Sequence, residues 1–311
     1  MITSLFAGCG ASADDSVYKI AIVQQLDHAS QDEIRTAVEA QLDVLAAETN
    51  ITIEYKDFNG QNDPTVLGQI GAQVVGDGYD AIIPIATLAA QCMVTAADGT
   101  DTPIIYAAIS DPATAGLTDI PTVTGTSDAL NTAFILDMMF AANPDIQTVG
   151  LLYSNSEANS TTPIAEAKAY LDEKGIAYLE KTGNTADEII TAANALVGRC
   201  EAVFTPTDNV VMNVASTVAE ILNEAGIPHY AGADSFVTAG AFATCGVNYT
   251  ELGTYTANMA VDILLGDEVP EYHIMDGGII TVNTETASAL ELDYSVFSTM
   301  ANTVVEVVTG E

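Results

Sequence analysis

Lys19-Ile20-Ala21-Ile22-Val23, Ile82-Ile83-Pro84-Ile85-Ala86-Thr87 and Pro103-Ile104-Ile105-Tyr106-Ala107-Ala108 are three short apolar runs of strand length. The pattern then recurs. Thr148 to Leu152, Val203-Phe204-Thr205-Pro206-Thr207-Asp208 and Pro228-His229-Tyr230-Ala231-Gly232-Ala233 fall in the same order further along the chain. Strands that are apolar without alternation are those buried on both faces, as in a parallel sheet covered by helices. Two similar halves of this kind can face each other across a cleft, and a cleft suits a small molecule.

The segments between the strands carry helical spacing. Ser30 is expected to cap a helix bearing Ile34, Val38, Leu42 and Leu45 at steps of three and four residues. Asp63-Pro64 begins a second helix with Val66, Leu67, Ile70 and Val74, and Gly76-Asp77-Gly78 ends it. A third should run from Thr87 to Ala97, and a fourth from a cap at Asp128 to about Ala142. In the second half, helices are expected at 163–173, 186–197, 209–225 and 252–265, with strands at 148–153, 177–180, 202–205, 229–231 and 241–247. The chain should close with a strand at Ile279 to Val282 and a short helix near Thr284 to Leu290. Alternating strands and helices of this kind define an α/β chain with parallel sheets. The expected division places a tether at 1–16, one lobe at 17–126 plus about 250–278, and the other at 127–249 plus about 279–311, so that several segments link the lobes.

The 311 residues are 49% hydrophobic, enough for two cores. Acidic residues number 43 against 7 basic ones, a formal net charge of -36. Such a field repels phosphate backbones and anionic headgroups, which disfavours nucleic acid and electrostatic membrane docking. An acidic solvated surface accounts for most of this charge, because the acids are scattered rather than blocked. None of the basic residues (Lys19, Arg35, Lys56, Lys168, Lys174, Lys181, Arg199) is expected in a loop at the C-terminal end of a central strand. Phosphorylated or multiply anionic ligands are therefore disfavoured.

Leu5-Phe6-Ala7-Gly8-Cys9 has the apolar, small, small, cysteine order that precedes a lipidated cysteine, and a small polar tether follows it. The eight residues upstream lack a basic start, so the signal segment reads as a truncated one. Cys92, Cys200 and Cys245 have no metal spacing and read as small hydrophobes, with a Cys200 to Cys245 bridge left open.

In open parallel sheets a ligand lies beyond the carboxyl ends of the strands. In the first half that rule selects Gln25, Asp27, His28, Ala86, Thr87, Ser110 and Asp111, and in the second Glu157, Asn159, Ser160, Thr207, Asp208, Asn209, Asp234 and Ser235. The helix opening at Thr87 offers free amides and a hydroxyl to one carboxylate. Asp208 and Asp234 can accept from an ammonium, and Asn159 or Asn209 can serve either partner. Together they fit a zwitterion, with Tyr106, Phe236 and Tyr249 as candidate ring partners. Ser127-Asp128, Thr207-Asp208 and Asp234-Ser235 would serve equally as helix caps; their recurrence at matching strand ends favours a site. His28 reads as a surface residue or a ligand contact, and His229 and His273 form no metal pattern with it. There is no Gly-x-Ser-x-Gly elbow, phosphate-loop lysine or His-Glu-x-x-His motif, so no enzyme chemistry, cofactor or metal is expected.

Ile85-Ala86-Thr87-x-Ala89-Ala90-Gln91, Ala107-Ala108-x-Ser110-Asp111-Pro112, Val123-Thr124-Gly125-x-Ser127-Asp128, Glu157-Ala158-Asn159-Ser160, Pro206-Thr207-Asp208-Asn209 and Tyr249-x-Glu251-Leu252-Gly253 stand in this order. Together they resemble the substrate-binding lipoproteins of ABC transporters of the tryptophan/tyrosine type. The resemblance implies a type I periplasmic-binding-protein fold of two Rossmann-like, flavodoxin-like lobes. It implies an extracytoplasmic monomer, anchored through lipid on Cys9, that delivers a solute to a permease. It also implies aromatic amino acids as ligands, with Thr87, Ser127, Asn159, Ser160, Asp208 and Asp234 at pocket positions. The alternatives are a ligand-sensing domain of the same fold, or a binder of another solute such as a branched-chain amino acid or a sugar.

Overall fold

The computed structural model describes residues 17–310, so the expected tether and Cys9 lie outside the described residues. The first unit runs β1 (Val17–Gln24), α1 (Ala29–Thr49), β2 (Thr52–Asn59), α2 (Pro64–Gly76), β3 (Ala81–Ile85), α3 (Thr87–Ala96), β4 (Ile104–Tyr106) and β5 (Val123–Ser127). The second runs α4 (Thr132–Ala142), β6 (Thr148–Tyr153), α5 (Thr161–Lys174), β7 (Ala177–Thr182), α6 (Ala186–Asn194), β8 (Ala202–Thr205), α7 (Asn209–Met212), α8 (Ala215–Glu224), β9 (His229–Ala231), α9 (Asp234–Thr238) and β10 (Ala243–Gly246). The chain ends with α10 (Tyr249–Leu264), β11 (His273–Ile274), β12 (Ile279–Asn283), α11 (Thr284–Ala289), α12 (Phe297–Met300) and β13 (Thr303–Val307).

The repeat read in the sequence becomes a repeat in topology. One sheet has the order β11-β5-β4-β3-β1-β2 and the other β13-β12-β10-β9-β8-β6-β7. Within each, the five strands of the unit follow the doubly wound order 2-1-3-4-5, whose switch point lies between the first and third strands. All pairings are parallel except β10 with β12.

Period-two burial follows from the pleat. In β1, Ile20 and Ile22 enter one core layer while Ala21 and Val23 enter the layer on the opposite face. In β8, Val203 and Phe204 divide likewise between two layers. Connections between the sheets run from β5 to α4, from β10 to α10 and from β11 to β12. Helix α10 lies against α1, where a Cβ on Gly253 would meet the Ile34 carbonyl oxygen at 2.6 Å. Strand β11 then adds to β5 in register, His273 opposite Thr126.

Several boundaries differ from expectation for identifiable reasons. The cap of α1 is His28, so Ser30 lies inside the helix and its hydroxyl bonds Ser235 at 2.7 Å. Asn131 caps α4, accepting from the Phe134 amide at 3.1 Å, which leaves Asp128 for other partners. The helix expected over 209–225 is two, α7 and α8, broken at Asn213 and Val214. That break lets Val210 and Val211, then Val218 and Leu222, reach the same core layer. Cys92, Cys200 and Cys245 are all free thiols, and Cys92 is only half-buried. No Cys200–Cys245 bridge forms, because the two sit in core layers on opposite faces of the second sheet.

Candidate functional site

The switch points of the two sheets face one another. A small, tightly closed cavity lies between them, lined by Ala86, Thr87, Ala108, Ser110 and Asp128 from strand ends of the first unit and by Asn159, Thr207, Asp208 and Asn209 from the second. Helix α1 adds His28, Gln31 and Ile34; Met212, Phe236 and Tyr249 complete an apolar wall.

Two first-unit strand ends are backbone-strained where they meet the cavity. Ala86 has φ 72° and Ala108 φ 59°, in the left-handed region that side-chain-bearing residues seldom occupy. Ala86 caps α3 with no side-chain oxygen to offer, so the first turn of that helix presents its amides outward. One of them, Leu88 N–H, already donates to Gln25 Oε1 at 3.1 Å.

Polar side chains tie the units together across the cleft. Gln25 Nε2 donates to Glu157 Oε1 at 3.2 Å, and Gln31 Nε2 to Asn209 Oδ1 at 3.0 Å. His28 Nε2 lies 3.2 Å from the same Asn209 oxygen and donates to it. Ser30 meets Ser235, the Ser110 and Thr207 hydroxyls are 2.9 Å apart, and Thr162 donates to Asp111 Oδ2 at 2.6 Å. With these bonds made, the cleft is closed.

Three buried carboxylates lie here. Asp208 caps α7 by accepting from Val211 N–H at 3.0 Å, and its second oxygen accepts from Ser154 N–H at 2.6 Å and Ser160 Oγ at 2.7 Å. Glu157 accepts from Gln25 and, at 2.7 Å, from Asn209 Nδ2; burial and then the charge of Asp208 push its carboxyl up. Asp128 accepts from Ser110 Oγ at 3.0 Å and Tyr249 Oη at 3.1 Å, and burial raises its carboxyl above the usual range against the pull of those donors. Burial lowers the His28 imidazole, whose Nδ1 has no hydrogen-bond partner among the described residues. No Lys or Arg is among the described residues lining the cavity, and no cluster of metal-ligand type occurs among them.

Of the residues selected from sequence, His28, Ala86, Thr87, Ser110, Asn159, Thr207, Asp208, Asn209 and Ser235 line this cavity. Others stand behind or beside it. Gln25 supports it through Leu88 and Glu157, and Ser160 through Asp208. Ser127 is buried with an unpartnered hydroxyl but does not reach the cavity wall. Asp111 ties the rim, and Asp27 lies on an exposed loop bonded to Asn59. Asp234 is turned away: it lines a separate cavity with Glu33, and burial plus the Glu33 charge push its carboxyl up to about 6. Tyr106 lies in the core on the far face of the first sheet, so Phe236 and Tyr249 are the rings at the site. Asp128, which the sequence offers equally as a cap or a site residue, lines the cavity; Gln31, Ser30 and Met212 carry no sequence signal apart from helix or loop position.

Comparison with known proteins identifies the family. The family described as ABC transporter substrate binding protein matches residues 19–303. A protein named tyrosine-binding protein, from Clostridioides difficile (strain R20291), is 30% identical over 280 residues, covering 88% of this chain and 81% of its own. A solved ABC domain in complex with L-Trp from Streptococcus pneumoniae shares 27% identity and a TM-score of 0.85, over 93% of this chain and 100% of that one. A ligand-free, open substrate-binding protein with adhesive properties from Clostridium difficile shares 31% identity but a TM-score of 0.70, over 94% and 99% of the two chains. Although nearer in sequence, the open relative superposes less well, as expected of a chain whose cleft is shut.

Proposed function

The chain belongs to the ABC transporter substrate-binding protein family, and from that membership we propose that it captures a zwitterionic amino acid with an aromatic side chain and hands it to an importing permease. The observation carrying this reading is the closed cavity at both switch points, with an apolar wall of Phe236, Tyr249, Met212 and Ile34 opposite polar strand ends. A ring packs on the wall. The ligand carboxylate lies at the opening turn of α3, where Thr87 and the helix amides accept one negative charge without a cation. Relatives named for tyrosine binding and solved with L-Trp support the aromatic class. Closure then follows from contact with both units at once, the ligand shifting an open–closed equilibrium.

Calorimetric titration with the twenty amino acids tests the ligand. Heat is expected with L-tyrosine, L-tryptophan or L-phenylalanine at one site per chain. Heat with a sugar or a branched-chain amino acid and none with the aromatic three would sink the ligand class and leave the receptor role standing. The protein acts as a monomer on the outer face of the membrane, held through lipid on Cys9, and works with a permease. An acyl mass on Cys9 in protein extracted from native membranes tests the anchor; an unmodified thiol rejects it. No helix among the described residues is long and apolar enough to cross a membrane.

A further inference from the structure

We propose that Asp128 is the ammonium anchor of this cavity, and that an amino group is the feature the site demands of its ligand. The inference rests on the amino-acid reading above and names the residue that enforces it. Three carboxylates compete for the role, and their hydrogen bonds separate them.

An ionised carboxylate offers about four lone-pair positions. Asp208 already fills three, two of them with backbone amides fixed by secondary structure. Its geometry belongs to the fold. Glu157 is held between Gln25 and Asn209 and does not reach the cavity wall. Asp128 lines the cavity and has only two side-chain donors, the Ser110 and Tyr249 hydroxyls, one on each oxygen. Capacity therefore remains on its cavity side.

Charge balance points the same way. Asp128 is 6% exposed, and no Lys or Arg lies among the described residues lining the cavity to neutralise it. A buried carboxylate without a cation is costly, and a ligand ammonium brings the missing charge to the place already desolvated. Ser110 links Asp128 to Thr207 of the opposite unit, so a cation bound at Asp128 sits where the two units meet. Tyr249 contributes twice, its hydroxyl to Asp128 and its ring to the apolar wall.

The test compares L-tyrosine with tyramine, which lacks the carboxylate, and with 3-(4-hydroxyphenyl)propionate, which lacks the amine, by calorimetry on the wild type. Affinity should fall in that order, with the des-amino acid weaker than tyrosine by on the order of 100-fold. Asp128→Asn, checked for an unchanged melting profile, should lose a similar factor for tyrosine and little for the des-amino acid. A wild type that takes the des-amino acid within about threefold of tyrosine overturns the proposal without any variant. So does a folded Asp128→Asn protein that binds tyrosine as the wild type does. Should the wild type ignore aromatic amino acids, the amine and des-amino forms of the ligand it does take are compared instead. Loss on Asp128→Asn and on deamination then upholds the anchor while the aromatic class falls, and a ligand without an amino nitrogen refutes the anchor.

Discussion

At Asp208 both carboxylate oxygens are occupied by the protein itself: Val211 N–H on one, Ser154 N–H and Ser160 Oγ on the other. Asp208→Ala would leave three buried donors without acceptors. The expected loss is about 3 kcal/mol of unfolding free energy in the ligand-free protein, read from the urea midpoint. An unchanged midpoint would show that these bonds contribute nothing net. The sequence could not separate Asp208 from Asp128, since each stands just before a helical stretch at a strand end. What separates them is occupancy of lone pairs, and two of the donors on Asp208, Ser154 and Ser160, come from a segment some 50 residues away in the chain.

Helices α1 and α10 belong to distant stretches, and at Gly253 their backbones pack closely. An added Cβ there lies 2.6 Å from the Ile34 carbonyl oxygen and 2.8 Å from the Ala37 Cβ, with helical backbone that cannot swing aside. Gly253→Ala should therefore destabilise by about 2 kcal/mol, lowering the thermal midpoint. A midpoint equal to the wild type would mean the helices part at little cost. Strands such as β1, β3 and β8 were legible because each is an uninterrupted apolar run that needs burial on both faces. Strand β11, by contrast, has two residues and no pattern of its own, and it exists through pairing with β5. Helices α9 and α12 and strand β13 are similarly short or half-exposed and carry no periodicity long enough to mark them.

Across the whole molecule, closure should be coupled to protons through Glu157, which a buried hydrogen bond ties to Gln25 of the opposite unit. In the closed form burial, then the Asp208 charge, push this carboxyl from its ordinary 4.5 up to about 7. Closed protein thus binds the proton more tightly than an open form in which Glu157 meets water. Its contribution to closure is complete below about 4.5 and is lost as pH rises through about 7. His28 has the opposite sign: burial lowers its imidazole, so its contribution is present above the ordinary 6.5 and is lost as pH falls from there. Small-angle scattering of the ligand-free protein should show opening as pH rises from about 5 to about 8, and Glu157→Gln should shrink that limb, the remainder coming from Asp128 and Asp208, whose carboxyls burial also raises, while leaving the acid limb due to His28. A wild-type profile identical to that of Glu157→Gln would remove Glu157 from the account.

The succession of strands and helices and its recurrence in a second half were determined by the sequence alone, because buried parallel strands and amphipathic helices leave local periodicities that survive without any partner; the lateral order of the strands came only from the sheets. Which carboxylate is saturated by the protein's own donors was decided only in three dimensions. The reason is physical: hydrogen-bond saturation and desolvation depend on groups brought together from far along the chain, as Ser154 and Ser160 saturate Asp208 and as Ser110 and Tyr249 leave Asp128 half free. Asp234 shows the converse, a residue at the expected strand end whose side chain the turn into α9 directs toward Glu33 and away from the cleft.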